Sequence, residues 1–209
     1  MNRFLETLRN QRHDDHRYYH HSLVNQSLHL VSAISFLCAY VLAYGNLALA
    51  VLIGWLVGMT SRQIGHFFFE PRDYDVVNQA TDEYKEAIKV GFNIRRKVVL
   101  MTVWGLSPLL LVFDRGLPAL EFTSAVLMRY GQDLGYLWLA VGVSGLLFRT
   151  VQLFVIQDAV TGLAWATKIL TDPFNDAELY WRAPWRLARG GLFVTPLAPE
   201  YPEEIESHR

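Results

Sequence analysis

The 209-residue chain is 52% hydrophobic and carries a formal net charge of -1, a balance that excludes a highly charged disordered chain or a nucleic-acid-binding one. Its length suits one compact domain, read as residues 1–195, followed by a Pro- and Glu-rich, loosely ordered tail over 196–209. The single cysteine, Cys38, lies in an apolar run and rules out both an intrachain disulfide framework and a thiolate metal cluster.

In chain order, the polar and basic stretch from Met1 to His16 is expected to enter the first helix without a break. From Tyr18 to Ser61 there is no Asp, Glu, Lys or Arg. That run is too long for one crossing of a hydrocarbon core about 30 Å thick, which takes about 20 helical residues. Gly45-Asn46 lies near its middle and suits a tight helix-helix turn, because both residues tolerate left-handed backbone angles. The pattern therefore predicts a two-helix hairpin.

Tyr74 to Asn93 spaces its apolar residues three or four apart, the pattern of an amphipathic helix at a membrane surface. Two more crossings are expected, Val98–Phe113 behind Arg95-Arg96-Lys97, and Leu134–Gln157, which Arg149 interrupts. A charge inside a span faces a cavity or a partner, and no partner for Arg149 is evident from spacing. The 116–130 stretch has room for a re-entrant piece. Thr171-Asp172-Pro173 reads as a helix start, with a short interfacial helix over Phe174–Arg189.

The fold class that follows is an all-α integral membrane bundle of about four transmembrane helices with interfacial amphipathic helices. Lys and Arg number four before the first crossing, seven between Arg62 and Lys97 and five after the last, against two (Arg115, Arg129) on the opposite side. By the positive-inside rule both termini are cytoplasmic, in a bacterial inner membrane or the endoplasmic reticulum. No cleavable signal peptide is expected, since the apolar run starts near residue 30 and outlasts a signal core.

Five of the seven histidines fall between His13 and His29, and His66 lies at the far end of the second helix. His21, Asn25 and His29 are four residues apart and share a helix face, and His66 and Glu70 repeat that spacing. A chain reversal at Gly45-Asn46 brings Asn25 level with His66 and His21 level with Glu70, so two sets of candidate ligands converge near one membrane face. Imidazoles with a carboxylate suit Fe, Zn, Mn or Cu, and two His with one carboxylate is the arrangement of non-haem Fe(II) oxygenases.

Adjacent residues on one helix point about 100° apart, so His20 and His21 cannot both face one centre without distortion or a second metal. His13 and His16 are read as solvated, and His208 as part of the tail. Arg17, Arg62 and Arg72 flank the site and offer a planar fork to a carboxylate head group, although each is also explained as a topology anchor. Asp172 is explained by capping, and Asp172 and Asp176 are left outside the site.

YYHHSLVNQSLH followed by RQIGHFFFEP resembles the HHxxxNxxxH and QxxGHxxxE signatures of the membrane 2-hydroxy fatty acid dioxygenases, over roughly residues 17 to 72. His20, His21, Asn25 and His29 match the first motif, and Gln63, Gly65, His66 and Glu70 the second. The chain departs from the family at Val31-Ser32-Ala33, where Gly-Ile-Pro is usual, and at Pro71-Arg72-Asp73-Tyr74, where Pro-Ala-Leu is usual; its second half matches nothing in it.

The resemblance implies an enzyme that holds Fe(II) by His20, His21, His29 and His66, with Glu70 as ligand or second-shell acceptor. Asn25 then orients a ligand or the substrate, and the metal uses O2 to shorten a 2-hydroxy fatty acid by one carbon. Alternatives on the same residues are a di-iron lipid hydroxylase or desaturase-like site, a zinc hydrolase, a non-enzymatic haem protein or a structural membrane subunit. Membrane lipids are expected partners, and homo-oligomers are compatible with the sequence.

Overall fold

The computed structural model describes residues 2–70, 72–75, 78–115 and 123–193. The chain is an all-α membrane protein, with no strand among the described residues beyond isolated bridges. The expected tail over 196–209 and residues 116–122 of the 116–130 stretch lie outside the described residues.

Helix α1 (Arg3–Tyr19) begins where Asn2 accepts the Phe4 amide. It does not run on into the membrane as expected. His20 leaves helical geometry (φ -111, ψ 48), and Ser22 starts a new helix, α2 (Leu23–Leu42), by accepting from the Asn25 amide. The break is held from outside, because Leu23 donates its amide to the Leu192 carbonyl at 2.9 Å.

Helix α2 turns through Tyr44, Gly45 and Asn46 into α3 (Leu47–Phe68), where Asn46 accepts the Leu49 amide. The hairpin is thus the one the charge-free run predicts. Residues Gly54–Met59 of α3 form a π-helical turn. There Phe36 of α2 packs on two glycines, and a Cβ would stand 3.2 Å from its ring at position 54 and 3.0 Å at position 58. Lower on α3, Gly65 lies against Asn25 so closely that no side chain fits between them.

The surface helix expected over 74–93 is shorter. Asn78 donates its amide to Asp75 Oδ1 and its side chain to Asp75 Oδ2, a local turn that competes with helix, and α4 covers only Asp82–Ile88, capped by Thr81. Val76 and Val77 lie outside the described residues.

The expected 98–113 crossing falls on two short helices, α5 (Ile94–Leu106) and α6 (Pro108–Arg115), neither of which is long enough alone to count as a span. Ser107 between them keeps helical angles, and Pro108 opens the second helix, where its missing N–H costs least. Helix α7 (Ser124–Ile156) is longer than the expected Leu134–Gln157 and packs beside α3, where a Cβ at Gly135 would stand 2.7 Å from Ala48 Cα. Three helices, α2, α3 and α7, are long and apolar enough to cross a membrane.

Arg149 of α7 is buried and finds its partner in backbone. Its Nε and Nη2 donate to the Val90 carbonyl at 3.1 and 2.5 Å, and Nη1 donates to Gln152 Oε1 at 2.6 Å.

Helix α8 (Ala159–Tyr180) corrects the expected start at Thr171-Asp172-Pro173. Its cap is Asp158, which accepts the Thr161 amide at 2.8 Å, and Pro173 sits inside the helix. Tyr40 of α2 donates to the Leu170 carbonyl in that turn at 2.9 Å. Short α9 (Ala183–Ala188) follows, with Trp181 and Trp185 exposed under Arg182 and Arg189. Helix α8 packs on α1, α2 and α7, and so closes the open side of the hairpin.

Candidate metal centre

Three histidines from three different local structures meet. His20 lies in the α1–α2 break, His29 is on α2 and His66 is on α3. One ring nitrogen from each lies within 4.8 Å of the others. The ring centroids of His20 and His29 are 4.1 Å apart, those of His29 and His66 4.9 Å, and those of His20 and His66 5.5 Å.

Each ring is held through Nδ1. His66 Nδ1 lies 2.8 Å from Glu70 Oε2, one turn along α3. His29 Nδ1 lies 3.5 Å from Asp176 Oδ2 of α8. His20 Nδ1 lies 2.7 Å from the Tyr180 hydroxyl, which also meets His16 Nδ1. A proton on His20 Nδ1 donated to Tyr180, whose hydroxyl donates onward to His16, leaves His20 Nε2 with its lone pair free. Outer groups on Nδ1 that set the tautomer are the usual support of a metal-binding imidazole.

The donor set fits a cation. His20 Nε2 and His29 Nε2 are buried without a hydrogen-bond partner, a state that costs roughly 1–3 kcal/mol per group. A metal at their meeting point would satisfy both. Burial, then the neighbouring His29, His16 and His66, push the His20 imidazole well below its ordinary range, so it is the neutral form that a metal takes. His66 keeps 11% of its side chain exposed and lines a cavity of about 450 Å³, so the centre has an open side.

Asn25 shapes the break. It is fully buried, and its side-chain amide donates to the Tyr19 carbonyl at 3.1 Å, fixing the turn that carries His20. Gln26 does the same from α2 by donating to the His20 carbonyl at 2.7 Å.

The structure also shows which expected residues stay apart. His21 points the other way, with Nε2 3.9 Å from Asp75 Oδ2, because the break turns consecutive side chains to opposite sides; the three-histidine group does not include it. Glu70 is not in that group either; its carboxylate is shared between His66 Nδ1 and Lys89 Nζ, the latter at 3.0 Å. Arg17 donates to Asn78 Oδ1, and Arg72 donates to the Phe67 carbonyl at the surface, so neither meets the centre. Arg62 does reach it, but its guanidinium is already bound to Asp176 at 3.0 Å and Asp172 at 3.5 Å.

His16 is not solvated as expected. It is wedged among Tyr180, Asn175 and His20. Asp176 and Asp172, left out of the site on sequence grounds, belong to it. Burial alone would raise both carboxyls. For Asp176 the Arg62 guanidinium and the His29 ring outweigh it and hold the group well below the carboxylate range, whereas Asp172 beside it is pushed up. One sequence signal does identify this face, since Lys168, Asp172, Asp176 and Tyr180 are each four residues apart on one helix. Reading Pro173 as a helix start hid it.

No protein-family model, curated protein or solved structure matches this chain. The class that fold and site define is a helical membrane protein with a buried three-histidine group able to hold a metal ion.

Proposed function

We propose that the chain is a membrane metalloenzyme, an Fe(II)-dependent dioxygenase that shortens 2-hydroxy fatty acids by one carbon. The observation that carries this reading is the pair of unpartnered Nε2 atoms on His20 and His29 beside His66, at one end of an apolar cavity. The HHxxxNxxxH and GHxxxE resemblance supplies iron and the substrate class. Bound Fe(II) supplies open positions for O2 and the 2-hydroxy-carboxylate. One O2 is consumed per 2-hydroxy acid, the C1–C2 bond breaks, and the products are the acid one carbon shorter, CO2 and water; the substrate is oxidised and O2 is reduced.

The chain's own residues hold this arrangement. Glu70, Asp176 and Tyr180 keep the three Nδ1 atoms engaged, Asn25 holds the His20 turn, and Arg62 neutralises Asp176. The basic excess on one side supports a cytoplasmic position for both termini, with the 94–115 helices as a fourth crossing.

Zinc hydrolysis is the second reading, favoured by a ligand group of three imidazoles without a carboxylate, a set that zinc also takes in catalytic sites. Element-resolved metal content of anaerobically purified protein separates the two. About one iron per chain, absent from His66→Ala, together with O2 uptake on 2-hydroxyhexadecanoate, supports the dioxygenase. One zinc per chain without O2 uptake overturns it.

A further inference from the structure

The cavity that opens beside His66 is walled by α3 over most of its length, since both Leu47 and His66 line it. At 1.5 Å per residue those positions lie about 28 Å apart, a long slot rather than a rounded pocket. Away from His66 its walls are apolar or small, among them Phe36, Ala39, Ala50, Gly54, Trp138 and Gly142. Such a slot matches an unbranched chain laid along α3.

The charged residues of the lining are Arg62, Lys89, Lys97 and Lys168 with Asp14, Asp15 and Asp172, and one of these cations stands apart. Arg62 is paired with Asp172 and Asp176, Lys168 with Asp15 and Asp172, and Lys89 with Glu70 and Glu86. Lys97, from the first turn of α5, lines the cavity with no carboxylate within 4.0 Å of it among the described residues, although Glu70 and Asp15 attract it from farther off. An amine withdrawn from bulk water without a close counter-ion holds its proton poorly, and an anion entering the slot would favour the charged form and pair with it.

We propose that Lys97 is the receptor for the carboxylate of a single-chain amphiphile whose tail lies along α3, and that Ala50 limits how far the tail reaches. This deepens the reading above and rests on it for the placing of the head group beside His66. Ala50 lies about 24 Å from His66 along α3, so a bulky side chain there would obstruct only the end of a long tail.

The test uses metal-free full-length protein in detergent, with the fluorescence of the cavity-lining Trp55 and Trp138 as readout. Octadecanoate, octadecanol and octanoate are titrated into wild type, Lys97→Met, Lys97→Arg and Ala50→Leu. Octadecanoate is expected to bind at least about tenfold tighter than octadecanol, the worth of one charge-assisted hydrogen bond. Lys97→Met should erase that preference and Lys97→Arg keep it, while Ala50→Leu should weaken octadecanoate and spare octanoate.

Equal binding of acid and alcohol to wild type, an unchanged preference in Lys97→Met, or equal competition by a two-chain phosphatidylcholine overturns the proposal. Protein that shows the acid preference yet binds no metal sinks the proposed function and leaves this inference standing. Protein that binds metal but treats acid and alcohol alike does the reverse.

Discussion

Gly65 of α3 lies directly against Oδ1 of Asn25 on α2, in space that any Cβ at position 65 would occupy. The contact sets the separation of the two helices that carry His29 and His66. It also keeps Asn25 turned toward the Tyr19 carbonyl, and through it the His20 turn. One glycine thus bears on all three imidazoles.

Gly65→Ala is therefore expected to destabilise the protein by about 1–3 kcal/mol, the usual cost of overpacking a tight core, and to lower metal affinity as well. Thermal unfolding and a chelator titration check both effects. Adding Asn25→Ala to Gly65→Ala removes the clash, so the double variant should regain stability relative to the sum of the two single changes. Strict additivity would show that the two residues are not coupled.

Neighbouring histidines should behave oppositely. His20→Ala is expected to abolish stoichiometric metal binding, whereas His21→Ala, which alters a contact to Asp75 on the far side of the break, should retain it. Metal content per chain after desalting decides the matter. Loss in both variants would place His21 in the ligand set.

Glu70→Gln keeps the size of the side chain and removes the charge that faces His66 Nδ1 at 2.8 Å. Metal affinity should fall about 10- to 100-fold, the range seen for outer-shell partners. Asp176→Asn weakens a longer contact of 3.5 Å to His29, and it also leaves Arg62 with Asp172 alone. A smaller change in affinity and a larger change in unfolding temperature are expected for it.

Docking of α1 on α8 should depend on acid. Burial raises the Asp15 carboxyl, but the Lys168 ammonium outweighs it and the group ends below its ordinary value of 3.8. A carboxyl lowered by folding stabilises the folded state above the unfolded value, and that contribution fades as pH drops through the folded one. Asp15→Asn should therefore cost about 1–2 kcal/mol at pH 7, between an exposed and a buried ion pair. Unfolding temperatures of variant and wild type should converge as pH falls below 3.8; a constant gap would show that Asp15 acts through something other than its charge.

The hairpin and two of the three imidazoles were legible from sequence for plain physical reasons. A charge-free run can only be buried in lipid or protein, Gly45-Asn46 marks its reversal, and the His66–Glu70 spacing is one helical turn. The choice between His20 and His21 was not legible. It depends on a break at His20 and Ser22 that is secured by the Leu192 carbonyl, far away in the chain. Asp176 and Tyr180 were obscured differently: a proline normally signals a boundary, but α8 carries Pro173 through its interior.

The break between α1 and α2 bears on how the protein matures. The hairpin bearing His29 and His66 leaves the ribosome early, whereas Asp176 and Tyr180, which steady His29 and His20, emerge only with α8. A nascent chain at the hairpin stage can offer two imidazoles but has no Tyr180 to fix the third. Completion of the trio is thereby tied to the synthesis of α8, and a product lacking that helix would be inserted in the bilayer yet unable to present all three.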